Sequence, residues 1–255
     1  MFPIHNHNAL DAAEFVMGAL YFIQMAFTPQ TFWDSNFSIK STKPAVELMG
    51  AIAALIFGLR TAVYVVRSSG IAKLQKPTDL AQGLGWGGCL LAQMTTYKSW
   101  QRIPFLVNYT VAACFTLAFL YRVVSTKGKY YGGNFPTEFV TGFDLFASVA
   151  YLVMLVFTPA AWIENTFIYK ATPSVLLTVA VLAAILFART AVIFLARSFN
   201  VSSINKDMDL VMAAASGAIN VTNYFMMASY QGNQVYLNNG LGIFFTVAFL
   251  HRYWN

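Results

Sequence analysis

Long apolar runs dominate this chain of 255 residues. Eight segments of 17 to 25 residues are mostly apolar, and about 20 such residues are needed for an α-helix to cross the hydrocarbon core of a bilayer. The runs are continuous and do not alternate between polar and apolar residues, so they predict helices rather than the strands of a β-barrel. The segments lie near residues 10–28, 44–66, 79–97, 104–124, 142–158, 173–197, 208–230 and 235–253.

The chain also contains an internal repeat. Residues 14–122 realign with residues 144–252 at a nearly constant offset of 130. Phe27-Thr28-Pro29 returns as Phe157-Thr158-Pro159, for example. Each copy carries four predicted helices, and an even number makes both copies enter the membrane in the same direction. The sequence therefore predicts an all-α integral membrane protein with eight transmembrane helices, built as two parallel four-helix repeats.

The repeat also suggests a domain organisation. We expect a first four-helix membrane unit at 1–124, a linker at 125–139 and a second four-helix unit at 140–255. Glycine, proline and lysine are frequent in the linker, as in connecting segments generally.

Composition and charge agree with a membrane location. Hydrophobic residues make up 58% of the chain, charged residues 10%, and the mean hydropathy is +0.57, whereas about a quarter of the residues of soluble proteins are charged. The net charge of +6 forms no dense basic stripe, so we expect attraction to anionic lipids and no nucleic-acid partner. Outside the helices, nine Lys and Arg residues lie on the side that holds both termini and five lie on the opposite side. Both termini should face the cytoplasm, or the matrix or stroma of an organelle.

Charged residues inside the apolar segments are the first candidate site. An unpaired guanidinium at such depth costs several kcal/mol, so Arg60 and Arg189 require partners. Acidic residues of neighbouring segments fall at the same membrane level. We predict one cluster in each unit, and we interpret both as structural clamps, with a proton or substrate relay as the alternative. The clusters are Glu14, Arg60 and Asp79, and Asp144, Arg189 and Asp209.

Amides and hydroxyls form a second candidate site towards the opposite side of the membrane. They lie on the third and seventh segments and at the start of the fourth and eighth. They predict either a polar pocket in each unit or hydrogen bonds between helices. The residues concerned are Gln93, Thr96, Asn108, Asn220, Asn223 and Asn238.

Catalytic chemistry has little support in the sequence. No phosphate-binding loop or Ser/His/Asp arrangement is recognisable, so we expect no enzyme activity. His5 and His7 are close in sequence but have no third ligand nearby, so no metal site is predicted. Lipids are the expected ligands, and the sequence leaves open pigment binding, for which His251 is the candidate contact.

Each half resembles the small four-helix membrane proteins known as DoxX-like. The resemblance rests on a first helix that ends in Phe-Thr-Pro before an aromatic and acidic stretch, at 27–34 and 157–164, and on a second helix that starts with proline. It covers about half of each unit. It implies a four-helix membrane fold and carries no active residue over to this chain.

A small polytopic protein without a soluble domain or a catalytic group is typical of accessory subunits. We therefore predict a non-enzymatic structural or accessory subunit of a larger membrane complex, such as an energy-transducing one, with other membrane subunits and lipids as partners. The alternative is a small transporter or channel with a polar path along the third and seventh segments.

Overall fold

The computed structural model describes residues 9–126, 136 and 138–255. Within these residues the protein consists of ten α-helices and two 3-10 turns, and no strand occurs in them. The helices are α1 (Ala9–Phe27), α2 (Pro29–Asn36), α3 (Lys43–Ser68), α4 (Ala72–Thr95), α5 (Arg102–Ser125), α6 (Phe139–Phe157), α7 (Pro159–Thr166), α8 (Pro173–Ser198), α9 (Ser202–Phe225) and α10 (Gln234–Trp254).

Five of these helices are long and apolar enough to cross a membrane, namely α1, α3, α5, α6 and α8. The fold is therefore all-helical and consistent with a multi-pass membrane protein. Helices α4, α9 and α10 have 24, 24 and 21 residues, a sufficient length for a span at 1.5 Å per residue. They do not reach the same apolar content, because charged and amide side chains interrupt them, among them Asp79 in α4 and Asp209 in α9.

The two halves of the chain contain the same series of elements. Helices α1 to α4 have 19, 8, 26 and 24 residues, and helices α6 to α9 have these lengths too. Each half then continues with a three-residue 3-10 turn and a final long helix. Isolated bridges join Phe37 to Trp100 and Phe167 to Tyr230, at the same offset of 130.

The short helices α2 and α7 were not among the predicted segments. Pro29 and Pro159 interrupt the apolar runs, and each occupies the first turn of a new eight-residue helix. An N–H group in the first turn has no partner within the helix, so proline costs no hydrogen bond there. Thr172 caps α8, since its hydroxyl accepts a hydrogen bond from Val175 N. Thr42, before α3, makes no such bond within its own helix and contacts the Ser174 hydroxyl at 2.9 Å.

Packing across the two halves forms the centre of the molecule. Helices α3 and α8 contact each other, and about two thirds of each is buried. Helix α4 packs against α8 of the other half far more than against α3 of its own, and α9 packs against α3 in the same way. Helices α5 and α10 cover α4 and α9 from outside. The two predicted units are therefore interlocked rather than separate bundles.

The contact between α4 and α8 depends on glycine. A Cβ atom at Gly85 would lie 2.5 Å from the Cβ of Ala188, whereas one at Gly88 would lie 3.6 Å from the Cβ of Ala184. The first distance is a collision and the second is ordinary van der Waals contact. Both glycines face α8, and Gly85 is the more tightly packed of the two.

We predict that Gly85→Ala destabilises the protein relative to Gly88→Ala. Both changes improve helix propensity by the same amount, about 1 kcal/mol. The difference in unfolding free energy between the two variants therefore reports the collision and should be about 1–3 kcal/mol. The apparent midpoint of thermal unfolding in detergent would measure it. Equal midpoints for the two variants would contradict this packing of α4 on α8.

Candidate functional site

A buried ion pair joins the first and third helices. The Arg60 guanidinium contacts the Glu14 carboxylate, and both side chains are buried. Gly18 lies one turn beyond Glu14, where any side chain would collide with the Arg60 stem. Trp86 of α4 completes the group, since its Nε1 donates to Glu14 Oε1 at 3.1 Å and its ring centre lies 5.5 Å from the guanidinium carbon. Carboxylate and indole together stabilise a charge that lipid could not.

Asp79 differs from the predicted grouping. It pairs with Arg67 and Arg122 instead of Arg60, at 3.3 Å from Arg122 Nη2. Asp11 joins the same two arginines, at 3.3 Å from Arg67 Nε and 3.0 Å from Arg122 Nη1. The reason is geometric: Arg67 lies two turns beyond Arg60, at the end of α3 that the start of α4 approaches. This second charged group therefore pins α1, α3, α4 and α5.

Asp209 departs from its predicted cluster in the same way. It pairs with Arg197 and with Arg252, whose Nε lies 3.5 Å from Asp209 Oδ2, rather than with Arg189. Arg252 also contacts Glu138, just before α6. The second half thus repeats the arrangement of the first, with Arg197 in the place of Arg67.

Sequence reasoning missed these partners because the four arginines were counted among the charges outside the helix interiors, and Asp11 was not paired with them. The repeat contained a usable signal, since arginine recurs at the offset of 130 in both pairs of positions. The missed residues are Asp11, Arg67, Arg122, Arg197 and Arg252.

We call Glu14–Arg60 and Asp144–Arg189 the inner ion pairs of the two halves, and the pair of the second half is the looser one. Asp144 Oδ1 lies 3.7 Å from Arg189 Nη2. Arg189 also reaches Ser148 Oγ at 3.4 Å and Met212 Sδ at 3.6 Å. Asp144 is 6% exposed, and its second carboxylate oxygen, Oδ2, has no hydrogen-bond partner among the described residues. Such an oxygen is costly to bury and is a candidate to accept a hydrogen bond from a ligand.

Phenols meet amides at the other end of each half. Tyr21 donates to Asn108 Oδ1, and Tyr151 donates to Asn238 Oδ1. Tyr230 donates to Asn223 Oδ1 at 2.7 Å. Burial raises the pKa of Tyr230, so this phenol stays protonated and remains a donor. Interhelical hydrogen bonding therefore accounts for part of the predicted polar group.

Four of the six predicted amide and hydroxyl residues line cavities. Gln93 and Asn108 line one in the first half, and Asn223 and Asn238 line one in the second.

Two of the predicted residues lie apart from the cavity linings. The Thr96 hydroxyl donates to a carbonyl of its own helix and accepts from Trp100 Nε1 at 3.1 Å. Asn220 packs against Gly242 of α10, where there is no room for a Cβ atom. Both residues therefore serve contacts between elements.

The two cavities have a common plan. Both are partly open to the surroundings: about 900 Å³ of space not filled by atoms lies in the first and about 1060 Å³ in the second, and both figures include the open mouth. Each has a charged end at its inner ion pair and an amide end at its tyrosine and asparagine. Asp144 and Tyr151, which mark these ends in the second cavity, are seven residues apart on α6, or about 10 Å. The wall between the ends is mostly apolar, with Leu155, Leu182 and Leu186 among its residues.

A helix from the other half forms one wall of each cavity. Val181 and Ile185 of α8 form part of the first cavity wall, and Leu48 and Leu55 of α3 form part of the second. The interlocked packing therefore creates both cavities, and neither half could form its cavity alone.

Several exchanges distinguish the two charged ends, and the one at Trp86 changes the side-chain volume most. Trp86 covers the ion pair in the first cavity, and Ser216 holds the equivalent position on α9 in the second. Asp144, Arg189 and the small Ser216 side chain all line the second cavity. The second cavity is therefore the stronger candidate for a ligand site.

His251 lies away from both cavities. His251 is exposed in the last turn of α10, in a shallow surface depression that Lys206 and Arg252 also line. His5 and His7 fall outside the described residues, so the prediction about them is untested. Within the described part of the chain, no group of three or more His, Cys, Asp or Glu side chains could hold a metal ion.

No protein-family model, curated protein or solved structure matches this chain. The resemblance to DoxX-like proteins stays a prediction, and the function must be argued from the geometry.

We predict that Asp209→Asn strongly destabilises the protein. Arg197 is 4% exposed, and removing one partner of a buried pair costs about 3–5 kcal/mol. Asp207→Asn is the matched control, because Asp207 is exposed on the same helix, and its effect should be within about 0.5 kcal/mol. Thermal unfolding in detergent compares the two variants, and a similar small shift for both would refute the structural role of the group formed by Asp209, Arg197 and Arg252.

Proposed function

We propose that this protein is a non-enzymatic membrane protein of eight spans that binds a mostly apolar small molecule in its second cavity. The unpartnered Asp144 Oδ2, on a buried residue that lines this cavity, carries the proposal. A buried acceptor without a donor is costly, and an occupant that supplies a donor removes that cost.

The membrane arrangement we propose uses all eight long helices. Helices α4, α9 and α10 are long enough to span, and their polar side chains lie largely at ion pairs and cavity walls, where protein interiors tolerate them. The identical series of elements in both halves supports two parallel four-helix repeats. The Lys and Arg distribution supports both termini on the cytoplasmic, matrix or stromal side.

The chemistry of the cavity wall limits the ligand. An aliphatic and aromatic middle section favours an apolar body, while Arg189 and Asp144 at one end and Asn238 and Tyr151 at the other offer hydrogen bonds. A molecule with a polar group at the charged end, and a second one about 10 Å away, would use both ends.

A transporter with a continuous polar path is the weaker proposal. On α9, the polar residues Ser216 and Asn223 line the cavity, but Ile219 lies between them, and leucines cover the facing wall. An ion or hydrophilic solute would lose its hydration in this section without replacement contacts. The geometry thus favours a binding site over a hydrated channel.

An accessory role in a larger membrane complex stays a proposal and is compatible with ligand binding. A subunit that holds a lipid or a pigment within its own helices would need such a cavity. Many large apolar side chains on α1, α5, α6 and α10 face outwards, including Phe27, Leu117, Phe146 and Val247. Lipid or neighbouring subunits would cover these faces.

We expect Ser216→Trp to abolish ligand retention. The indole would fill the charged end of the second cavity, as Trp86 does in the first. Native mass spectrometry of the detergent-purified protein should show a bound mass on the wild type and on the control Ser216→Ala, and none on Ser216→Trp. Ser216→Phe serves as a second filled variant, and circular dichroism checks the helical content of each. The absence of a bound mass on the wild type, or its retention by both filled variants, would refute the proposal.

We also expect the protein to migrate with a large complex after mild detergent extraction from its native membrane. Native electrophoresis with mass spectrometry would identify the partners, and an absorption spectrum of the band would detect a pigment. Migration alone as a colourless monomer or small oligomer would refute the accessory-subunit proposal.

A further inference from the structure

The first half shows what fits beside the inner ion pair. There the Trp86 indole makes three contacts. Its N–H donates to Glu14 Oε1 at 3.1 Å, its ring centre lies 5.5 Å from the Arg60 guanidinium carbon, and it stacks on Phe115 with ring centres 4.9 Å apart and planes 20° apart. A carboxylate, a guanidinium and a phenyl ring thus surround one planar aromatic donor.

The second half also has a carboxylate, a guanidinium and a phenyl ring at its cavity. Asp144 and Phe245 follow Glu14 and Phe115 at the offset of 130, and Arg189 follows Arg60 at an offset of 129. Asp144, Arg189 and Phe245 line its cavity together. Phe245 stacks on Phe249 at 6.1 Å and 21°, and the equivalent pair in the first half, Phe115 and Phe119, has the same distance and angle. The phenyl wall is therefore preserved in position as well as in sequence.

The indole is the one member of this group that the second half lacks. Ser216 stands in the place of Trp86, and the cavity extends to this position. Glu14 receives a hydrogen bond from the indole, whereas Asp144 Oδ2 has no partner within the described residues. The missing group is thus defined by both its shape and its hydrogen-bond donor.

We propose that the second cavity binds a planar aromatic ring that carries an N–H or O–H donor, in the place that the Trp86 indole occupies in the first half. This inference rests on the proposed function and names its ligand class. The donor bonds Asp144, one face of the ring lies against Arg189, and Phe245 stacks on it. A purely aliphatic chain would fill the space and leave Asp144 without a donor.

Indole itself is the probe. Equilibrium dialysis of labelled indole against the full-length protein in lipid nanodiscs measures saturable binding, and Ser216→Trp in the same nanodiscs gives the background from partition into lipid. We expect one bound equivalent on the wild type and none on Ser216→Trp. 1-Methylindole has the ring without the donor, and we expect its affinity to be lower by about tenfold or a larger factor.

A second variant keeps the test independent of how well Ser216→Trp folds. Trp86→Ala removes the built-in indole and gives the first half the arrangement of the second, so two equivalents of indole should bind. A wild type that binds no more indole than Ser216→Trp, or a Trp86→Ala variant that binds no more indole than the wild type, would overturn the inference. Equal affinity for indole and 1-methylindole would overturn the role of Asp144 as acceptor.

The outcome also separates this inference from the proposed function. A molecule without an aromatic donor, retained by the wild type and lost in Ser216→Trp, together with no indole binding, would refute the aromatic ligand and leave the cavity as a binding site. If the wild type retains no molecule and binds no indole, both the aromatic ligand and the proposed binding function are refuted.

Discussion

The pairing of buried guanidinium groups is the constraint on which the rest of this fold depends. An arginine among apolar helices is tolerable only when a carboxylate neutralises it nearby. Arg67 and Arg122 meet Asp11 and Asp79, so that one charged group fixes the ends of four helices. Their positions along those helices set the register of each, and thereby decide which apolar faces meet in the middle of the molecule.

The central packing follows from this register. Helix α4 is tied to α3 at its first turns, diverges from it, and lies along α8, where Gly85 and Gly88 allow close approach. The same departure of α9 towards α3 interlocks the halves. Each cavity consequently has one wall from the other half, so an occupant of either cavity contacts both halves of the chain.

The sequence was sufficient for the helical fold and for the need to pair Arg60 and Arg189, because apolar length and buried charge are local properties. It was insufficient for the short helices α2 and α7, whose eight residues give too little periodicity. It also misplaced Asp79 and Asp209, since the choice between two arginines on one helix depends on where the next helix approaches. Cavities depend on the rotation of each helix about its axis, which an almost uniformly apolar sequence leaves unspecified.

The exchange of Trp86 for Ser216 shows how two similar halves acquire different properties. As a sequence difference it is one aromatic residue replaced by a hydroxyl. In the fold, it removes the group that both donates to the carboxylate and covers the arginine, while a carboxylate, a guanidinium and a phenyl ring still line the cavity. Unfilled space beside a side chain costs packing energy, and a buried carboxylate oxygen without a hydrogen-bond donor costs hydrogen-bond energy. Both penalties fall on the same few atoms, so a single occupant with a ring and a donor relieves them together.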